Sequence, residues 1–572
     1  MRSTIKIVIL LFFICISMSG ASFPDMEKYM RQHALIWEQL PMQWNEGAFL
    51  GNGLVGMMVY ADSTLNALVF HLGRPDVTDH RKAPYRKTSI GTEEADKMVD
   101  FCRLDVGKML LFPEGKILSG TFYLDIYNAE LTGHLKTDKG DLTFHAYTPQ
   151  PEEVNIVEVS SGVPYRWKGI PGNPCSPRIR VFPHLKEKLK YKDNPAPVVN
   201  QKDKEGSWVQ SLLAGGDYAT YWKEVPGGKS RSVLYVSTAN EVPASSLSLA
   251  KAMKTVEATQ ITGTKLLKQK TRQWWNAYHE RSFLSIPDKK LENFYFIQMY
   301  KLATCSHPDG PAMDVMGTFF KLSPWPSFWW NLNIQLTYMP IGPANRMEQG
   351  KNFQRLMDEV FPSLVRSIEP CKIGDYTWAL QNYYMYLRYA GADWQDIKQQ
   401  VVPKALDAFA VFDKILCYKE NTWHLTHIES PEYEGFQKYN DSNYGLASLS
   451  WLLQTLIACH DRTSSTHPDY ARWKEILTRL APYPTNENGL MIAANKPLEK
   501  SHRHYSHLLA FYPFRLLHPD VPENRKFLEK SIEHWLSLED GKGLAGYSYT
   551  GAASLYAYLG NGNKAYERLA HF

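Results

Sequence analysis

The chain has 572 residues, of which 44% are hydrophobic and 22% charged, and its formal net charge is +5. A chain of that length allows about two to four domains, and a balance so near neutral excludes an electrostatic case for nucleic acid or an anionic membrane as partner. The aromatic share is 13%, with 16 Trp and 33 Tyr, and in an exported protein such a share leans towards carbohydrate.

Residues 1–21 carry Arg2 and Lys6, then an apolar run from Ile7 to Ile16, then Ser19-Gly20-Ala21. That is the pattern of a secretory signal cut after Ala21, and the run is shorter than the roughly 20 apolar residues a membrane span needs. Cys15 as a lipid acceptor is the alternative, but Phe13-Ile14 before it lacks the small residue such a site wants. Loss of Arg2 and Lys6 lowers the net charge to +3, because the segment holds no Asp or Glu. No later apolar run is long enough to span, so the expectation is an exported, soluble protein. Six cysteines remain, Cys102, Cys175, Cys305, Cys371, Cys417 and Cys459. None pair at metal-type spacing, and they read as mostly free and buried.

Residues 22–242 alternate apolar and polar positions in short runs. Gly56 to Tyr60, Ala67 to His71, Gly120 to Ile126, Leu142 to Tyr147, Val154 to Val159 and Val233 to Ser237 predict strands, with turn formers such as Thr137-Asp-Lys-Gly-Asp141 between. An antiparallel β-sandwich follows. Lys186 to Lys192 reads as a solvated loop. Residues 243–287 change to Ser, Ala, Lys and Leu, and Leu266 to Tyr278 predicts a helical linker.

From 288 to 572 apolar residues recur at three and four. Phe353, Leu356, Met357, Val360, Phe361 and Leu364 make one face, and Leu446, Leu449, Leu452, Leu453 and Leu456 another. Helices are expected near 289–304, 344–366, 376–390, 394–416, 442–460, 468–480, 504–515, 524–537 and 545–559. Helical hairpins around a ring are the simplest arrangement, although periodicity does not establish closure.

Three stretches depart from this pattern. Trp329 to Pro340 reads WWNLNIQLTYMP, without charge or glycine; carboxamides among indoles suit a sugar pocket, where aromatic faces cover a pyranose and amides bind its hydroxyls or a water. The structural alternative is that Asn331 and Asn333 turn the chain while Trp329 and Trp330 fill core. His427 to Gly435 offers Glu429, Glu432 and Glu434 in a loop. Ser501 to His507 offers His502, His504 and His507, a spacing that by itself makes no zinc site, and no cofactor or metal is expected.

Asn331-Leu-Asn333-Ile-Gln335 with Tyr338, then Ser430-Pro431-Glu432, then His502-Arg503-His504 with Ser506-His507-Leu508 and Tyr512-Pro513, occur in the order of glycoside hydrolase family 95. An upstream Leu50-Gly-Asn-Gly53 with Gly56 matches as well, and the sequence resembles these inverting α-L-fucosidases and α-L-galactosidases over most of its length. The resemblance implies an (α/α)6 barrel as the catalytic domain, an oligosaccharide or polysaccharide as substrate, Asn331 and Asn333 as holders of the nucleophilic water, and His502 and His504 as sugar binders. His507 reads as a core histidine.

Inverting hydrolysis needs a carboxylic acid to protonate the leaving oxygen and a base on the opposite face. Glu432 is the acid candidate, because Pro431 stiffens its position and Tyr433 is expected to dry the site and raise its pKa; Glu429 and Glu434 are its rivals. An amide orients water but does not keep its proton, so a carboxylate partner is required. The family's aspartate lies beyond a helix resembling Gly546 to Tyr556, and no match precedes Phe572. Either the chain is truncated, without that base and a closing β-domain, or Asp375 or Asp441 stands in. Trp378 reads equally as a stacking wall or as core. Trp329 occupies a position where the family's fucosidases tend to carry a polar residue, which leaves the choice between L-fucose, L-galactose and another α-linked sugar open. Two alternatives from other classes remain: a polysaccharide lyase using Tyr505 with His504, and a glycan-binding protein without turnover.

Overall fold

The computed structural model describes residues 25–81, 99, 101–241, 247–328, 330–435 and 437–572. The expected signal segment and Trp329 lie outside the described residues.

The described strands between residues 35 and 241 form two antiparallel sheets packed face to face. The larger has nine strands in the spatial order Leu35–Trp37, Ile117–Asp125, Glu130–Thr137, Asp141–Tyr147, Val154–Ser161, Arg231–Glu241, Asp217–Gly228, Glu205–Ser211 and Val198–Gln201. The smaller has five, Tyr165–Ile170, Lys108–Pro113, Ala67–Gly73, Gly56–Asp62 and Ala48–Gly51. Alternation buries one face of the larger sheet, whereas strands Ala48–Gly51, Gly56–Asp62 and Ala67–Gly73 of the smaller are buried on both faces, and the layers meet through aromatic edges: Phe144 of the larger sheet lies 5.5 Å from Phe70 of the smaller. Lys186 does not sit in an open loop, since His184–Lys188 is a short helix anchored by buried Leu185.

Two helices, Ser248–Thr262 and Thr264–Glu280, follow. The first covers the outer face of the larger sheet, where its Val256, with Leu267 of the second helix, closes a small core with Tyr147, Ile156 and Tyr235. The second carries Trp275 and Tyr278 into the junction with the helical domain.

The helical domain begins with Lys289–Cys305, capped by Asp288, whose side chain accepts from Lys290 N and Leu291 N. Its most buried members are Ile373–Tyr389 and Asn443–Thr463, whose apolar positions run around nearly the whole helix. The last helix, Gly562–His571, returns to the first: Tyr566 Oη donates to Asp288 at 2.9 Å, and Phe572 packs edge-on against Phe294. The architecture is an antiparallel β-sandwich followed by a helical domain of the (α/α)6 barrel type.

Three expected helices differ. Residues 344–366 are broken between Lys351–Glu359 and Phe361–Ser367, with Pro362 in the first turn of the second piece. Residues 394–416 divide at Val401 ahead of Pro403, then give way to a hairpin of Leu416–Lys419 with Thr422–Leu425. Residues 504–515 hold only a single turn at Ser506–Leu508, because Pro513 disfavours helix at Tyr512 and Arg515 is left-handed at φ 55°.

The glycines of Leu50-Gly-Asn-Gly53 join the two domains. Gly53 has φ +82°, its amide donates to Thr304 O at 3.0 Å, and a Cβ there would lie 2.3 Å from the Ser306 carbonyl carbon. Asn52 fixes the turn by donating to Pro149 O and Glu152 O while accepting from Leu54 N and Val55 N.

Candidate active site

A cavity of about 950 Å³ opens where the sandwich meets the helical domain. Its lining comes from four parts of the chain. The sandwich gives Trp44, Asn45 and Phe49, the first helix of the barrel gives Lys301, the segment 313–325 gives Asp314, Phe319, Lys321 and Trp325, and the conspicuous motifs give Asn333, Glu432 and Arg503.

Asn333 is brought there by an unusual turn. Asn331 and Leu332 are both left-handed, at φ 59° and 73°, and Leu332 has ψ −64°. With Asn333 N donating to Asn331 O at 2.9 Å, this is a γ-turn of the rare strained kind, and strain of this sort persists only where its surroundings impose it. The surroundings are explicit. Gln335 Nε2 donates to Asp375 O at 2.8 Å, Asn382 Nδ2 donates to Gln335 O at 2.7 Å, and Tyr338 Oη donates to Asn352 Oδ1 while accepting from Met313 N. Asn333 emerges exposed as the first residue of the Asn333–Tyr338 helix, whereas Asn331 is buried behind it with no hydrogen-bond partner for Oδ1 among the described residues.

Glu432 sits on a second left-handed residue, at φ 57°, in the loop between the two strands of the Ile428–Glu429 and Lys438–Tyr439 pair. Ser430 and Ser506 share a hydrogen bond at 2.9 Å, and Pro431 O lies 3.2 Å from His502 Nε2, so the acidic loop and the histidine loop form one unit. Glu432 is ion-paired with Arg503, and its Oε2 lies 3.3 Å from His504 Nε2. Burial pushes its carboxyl up, but the hydrogen bond and charge of His504, with the charges of Arg503 and His502, outweigh it and hold the carboxyl below the ordinary range. The expectation that Tyr433 raises it is therefore corrected. Tyr433 turns away, its Oη accepting from Glu499 N at 3.1 Å.

Of the rival carboxylates, Glu429 is buried 3.5 Å from Cys371 Sγ and Glu434 is paired with Lys496 at 2.9 Å. Asp441 is structural, accepting from Leu425 N and lying 2.7 Å from His424 Nδ1. Asp375, half-buried on the first turn of Ile373–Tyr389, accepts from Tyr444 Oη at 2.7 Å. Burial pushes its carboxyl up to about 7, against the Tyr444 hydrogen bond and with the charge of Glu429 and Glu432 adding to the rise.

His502 and His504 stack 5.2 Å apart beside Glu432. Burial first, then the charge of His504, lowers His502 to about 4, and burial alone accounts for most of the fall of His507 to about 3. His507 is a core residue. Trp330 and Trp378 are core as well, 1% and 2% exposed, and neither lines the cavity; Trp330 is stacked on Tyr376 at 5.2 Å and set edge-on to Phe328 and Phe361. Tyr505 is closed off between Trp535 and Tyr547, and its ring leaves no space for a Cβ at Gly551, which removes it as an accessible base for the lyase alternative. No trio of His, Cys, Asp or Glu among the described residues converges as a metal site, and no described helix is long and apolar enough to cross a membrane.

Nothing in the sequence singles out Trp44, Lys301, Asp314, Lys321 or Trp325. They lie in loops or on helix ends without a periodic pattern. Arg503 was visible within the histidine motif, without its pairing to Glu432.

Residues 371–572 match the glycosyl hydrolase family 95 catalytic domain. No curated protein matches the sequence. Among solved structures, a protein described as a kojibiose phosphorylase from the human microbiome is similar at TM-score 0.64 and 10% identity, over 94% of this chain and 84% of that one. A bacterial glucoamylase complexed with acarbose is similar at TM-score 0.48 and 9% identity, over 87% and 81%. A family 92 α-mannosidase from Bacteroides thetaiotaomicron is similar at 0.42 and 8%, over 92% and 77%. At such identities the likeness is one of fold, carried by the first of the three.

Proposed function

We propose that this chain, whose residues 371–572 match the glycosyl hydrolase family 95 catalytic domain, is an exported glycosidase that releases a terminal α-linked sugar of the L-fucose or L-galactose type with inversion. Asn333, with Asn331 behind it, orients the attacking water, and Glu432 protonates the leaving oxygen. His502 and His504 bind sugar hydroxyls at the Glu432 end. Asp375, whose carboxyl burial raises beside the motifs, is the stand-in for a base acting through this amide pair.

The observation that carries the proposal is that Asn333 and Glu432, far apart in sequence, line one cavity large enough for a glycan. The test is hydrolysis of fucosylated and L-galactosylated oligosaccharides followed by proton NMR. Release of the sugar with inverted anomeric configuration, lost in Glu432→Gln and in Asn333→Ala, supports it. Release with retention, or undiminished release by both variants, rejects it.

A second reading, a glycan-binding protein without turnover, is favoured by the His504 contact and the Arg503 ion pair, which lower the Glu432 carboxyl and so favour its charged form. The same assay decides, since binding with no released sugar under acidic conditions is its signature.

A further inference from the structure

We infer that the glycan accepted by this cavity carries an anionic group, a uronate carboxylate or a sulfate ester, on the portion beyond the terminal sugar. The inference rests on the proposed glycosidase reading and deepens it.

The cavity, at about 950 Å³, lies at the upper end of the roughly 300–1,000 Å³ that drug-sized ligands occupy. A single terminal sugar held at Asn333 and Glu432 leaves much of it empty. The lining also holds Trp44, Phe49, Lys301, Lys321 and Trp325, two indoles and a phenyl with two ammonium groups. Indole faces cover sugar rings, and the ammonium groups add a charge requirement.

The charges in the lining do not cancel. Its two carboxylates are already satisfied: Asp314 by the buried Arg103 at 3.1 Å, and Glu432 by Arg503 and His504. Lys301 and Lys321 have no carboxylate within ion-pair distance among the described residues. Each is instead held over an aromatic ring, Lys301 Nζ at 5.7 Å from the Phe49 centroid and Lys321 Nζ at 5.4 Å from that of Trp44. A ring face orients an ammonium group without neutralising it. Two such cations in one concave site favour an anion that arrives with the ligand. Both ammonium groups lie over rings of the aromatic wall, Phe49 and Trp44, so the charge and the stacking surface address the same part of the glycan.

The test uses the full chain and calorimetric titration with three leaving-group trisaccharides that differ only in one sugar, which is neutral, carries a uronate carboxylate or carries a sulfate ester. These are products, so binding is read without turnover. The expected result is binding of one or both acidic trisaccharides roughly tenfold tighter than the neutral one at low salt, the size that two part-exposed ion pairs supply. That preference shrinks as salt rises, disappears in the Lys301→Met/Lys321→Met double variant and survives in Lys254→Met, a control on the exposed face of the Ser248–Thr262 helix and outside the cavity lining. Which acidic arm leads identifies the anion. Equal binding of all three, or a preference that persists in the double variant, overturns the inference. If no trisaccharide binds while neutral fucosyl or galactosyl oligosaccharides are still hydrolysed, only this inference falls. If none binds and none is hydrolysed, the proposed function falls with it.

Discussion

Glu432 Oε2 stands 3.3 Å from His504 Nε2, and the same carboxylate is ion-paired with Arg503. A carboxyl that donates a proton must hold one, yet these partners favour its charged form, lowering it despite burial. Activity that depends on protonated Glu432 is therefore expected to fall as pH rises from the acid side. Arg503 is half exposed and replaceable. In Arg503→Met the falling limb of kcat/KM moves to higher pH by about one unit, the lower end of what an adjacent opposite charge does. The sign for stability is the opposite of that for activity: a depressed carboxyl stabilises the fold above its unfolded value near 4.5 and loses that contribution as pH falls through the folded one. A pH–rate profile unchanged in Arg503→Met removes Glu432 from the acid role.

Asn331 allows its backbone and side-chain duties to be separated. Its φ of 59° opens the γ-turn that presents Asn333, while its Oδ1 is buried without a partner among the described residues. Asn331→Gly keeps the left-handed turn and removes the amide; Asn331→Ala removes the amide and strains the turn by about 1 kcal/mol. The expected pattern is a Gly variant as stable as the parent in thermal unfolding but without hydrolysis, and an Ala variant defective in both. A Gly variant that keeps its activity excludes the amide from handling water.

Much of this was legible in the sequence because it depended on local pattern. The apolar residues of Leu446 to Leu456 are all buried, as their spacing requires, and the short strands follow from alternation. The three motifs were visible as composition that neither core nor surface explains, and Ser430, Pro431 and Ser506 bring two of them together. What stayed hidden depends on distant packing. Nothing local tells that Trp44 of the sandwich faces Lys321 or that Trp330 is core while Asn333 three residues later is exposed, because a γ-turn reverses the chain between them. Residues 504–515 show the converse: Leu508, Leu509 and Phe511 have helical spacing and are buried, but Pro513 removes the hydrogen bond a helix there would need.

Asp375 makes stability fall with rising pH. Burial lifts its carboxyl from 3.8 to about 7, so between about pH 4 and 7 the unfolded chain releases a proton that the folded chain keeps. The contribution is fully present below the unfolded value and lost as pH rises to the folded one, in total on the order of 4 kcal/mol. Asp375→Asn retains an acceptor for Tyr444 Oη and has no charge to bury. Urea unfolding midpoints measured from pH 4.5 to 8 should decline in the parent and stay flatter in the variant. Parallel declines place the effect elsewhere.

Gly53 is a junction rather than a flexible point. With φ +82° and a Cβ position 2.3 Å from the Ser306 carbonyl carbon, Gly53→Ala must both strain its own backbone and push the sandwich from the end of Lys289–Cys305. A loss of about 2–4 kcal/mol is expected, read as a lower unfolding midpoint, with faster protease cleavage near the junction. Gly228→Ala also replaces a positive-φ glycine, but nothing lies within 4 Å of its Cβ, so it should lose only the backbone part. Equal losses in the two variants deny the contact at Ser306.

Arg103 governs the cavity wall from inside the sandwich. It is 1% exposed, pairs with Asp314 at 3.1 Å and donates to Gly317 O at 2.6 Å and Phe319 O at 3.0 Å. Those acceptors lie on the segment that turns Asp314 and Phe319 towards the ligand space. Arg103→Met leaves Asp314 as an uncompensated buried charge, for which a loss of about 3–5 kcal/mol is expected. Arg103→Met with Asp314→Asn removes that charge and should recover much of the stability, while the three carbonyls of Gly317, Thr318 and Phe319 remain without their donor. The single and double variants thus separate two functions of one arginine. If KM for the glycan stays high in the stable double variant, the guanidinium shapes the wall as well as neutralising Asp314; if KM returns to the parent's value, charge neutralisation is its whole contribution.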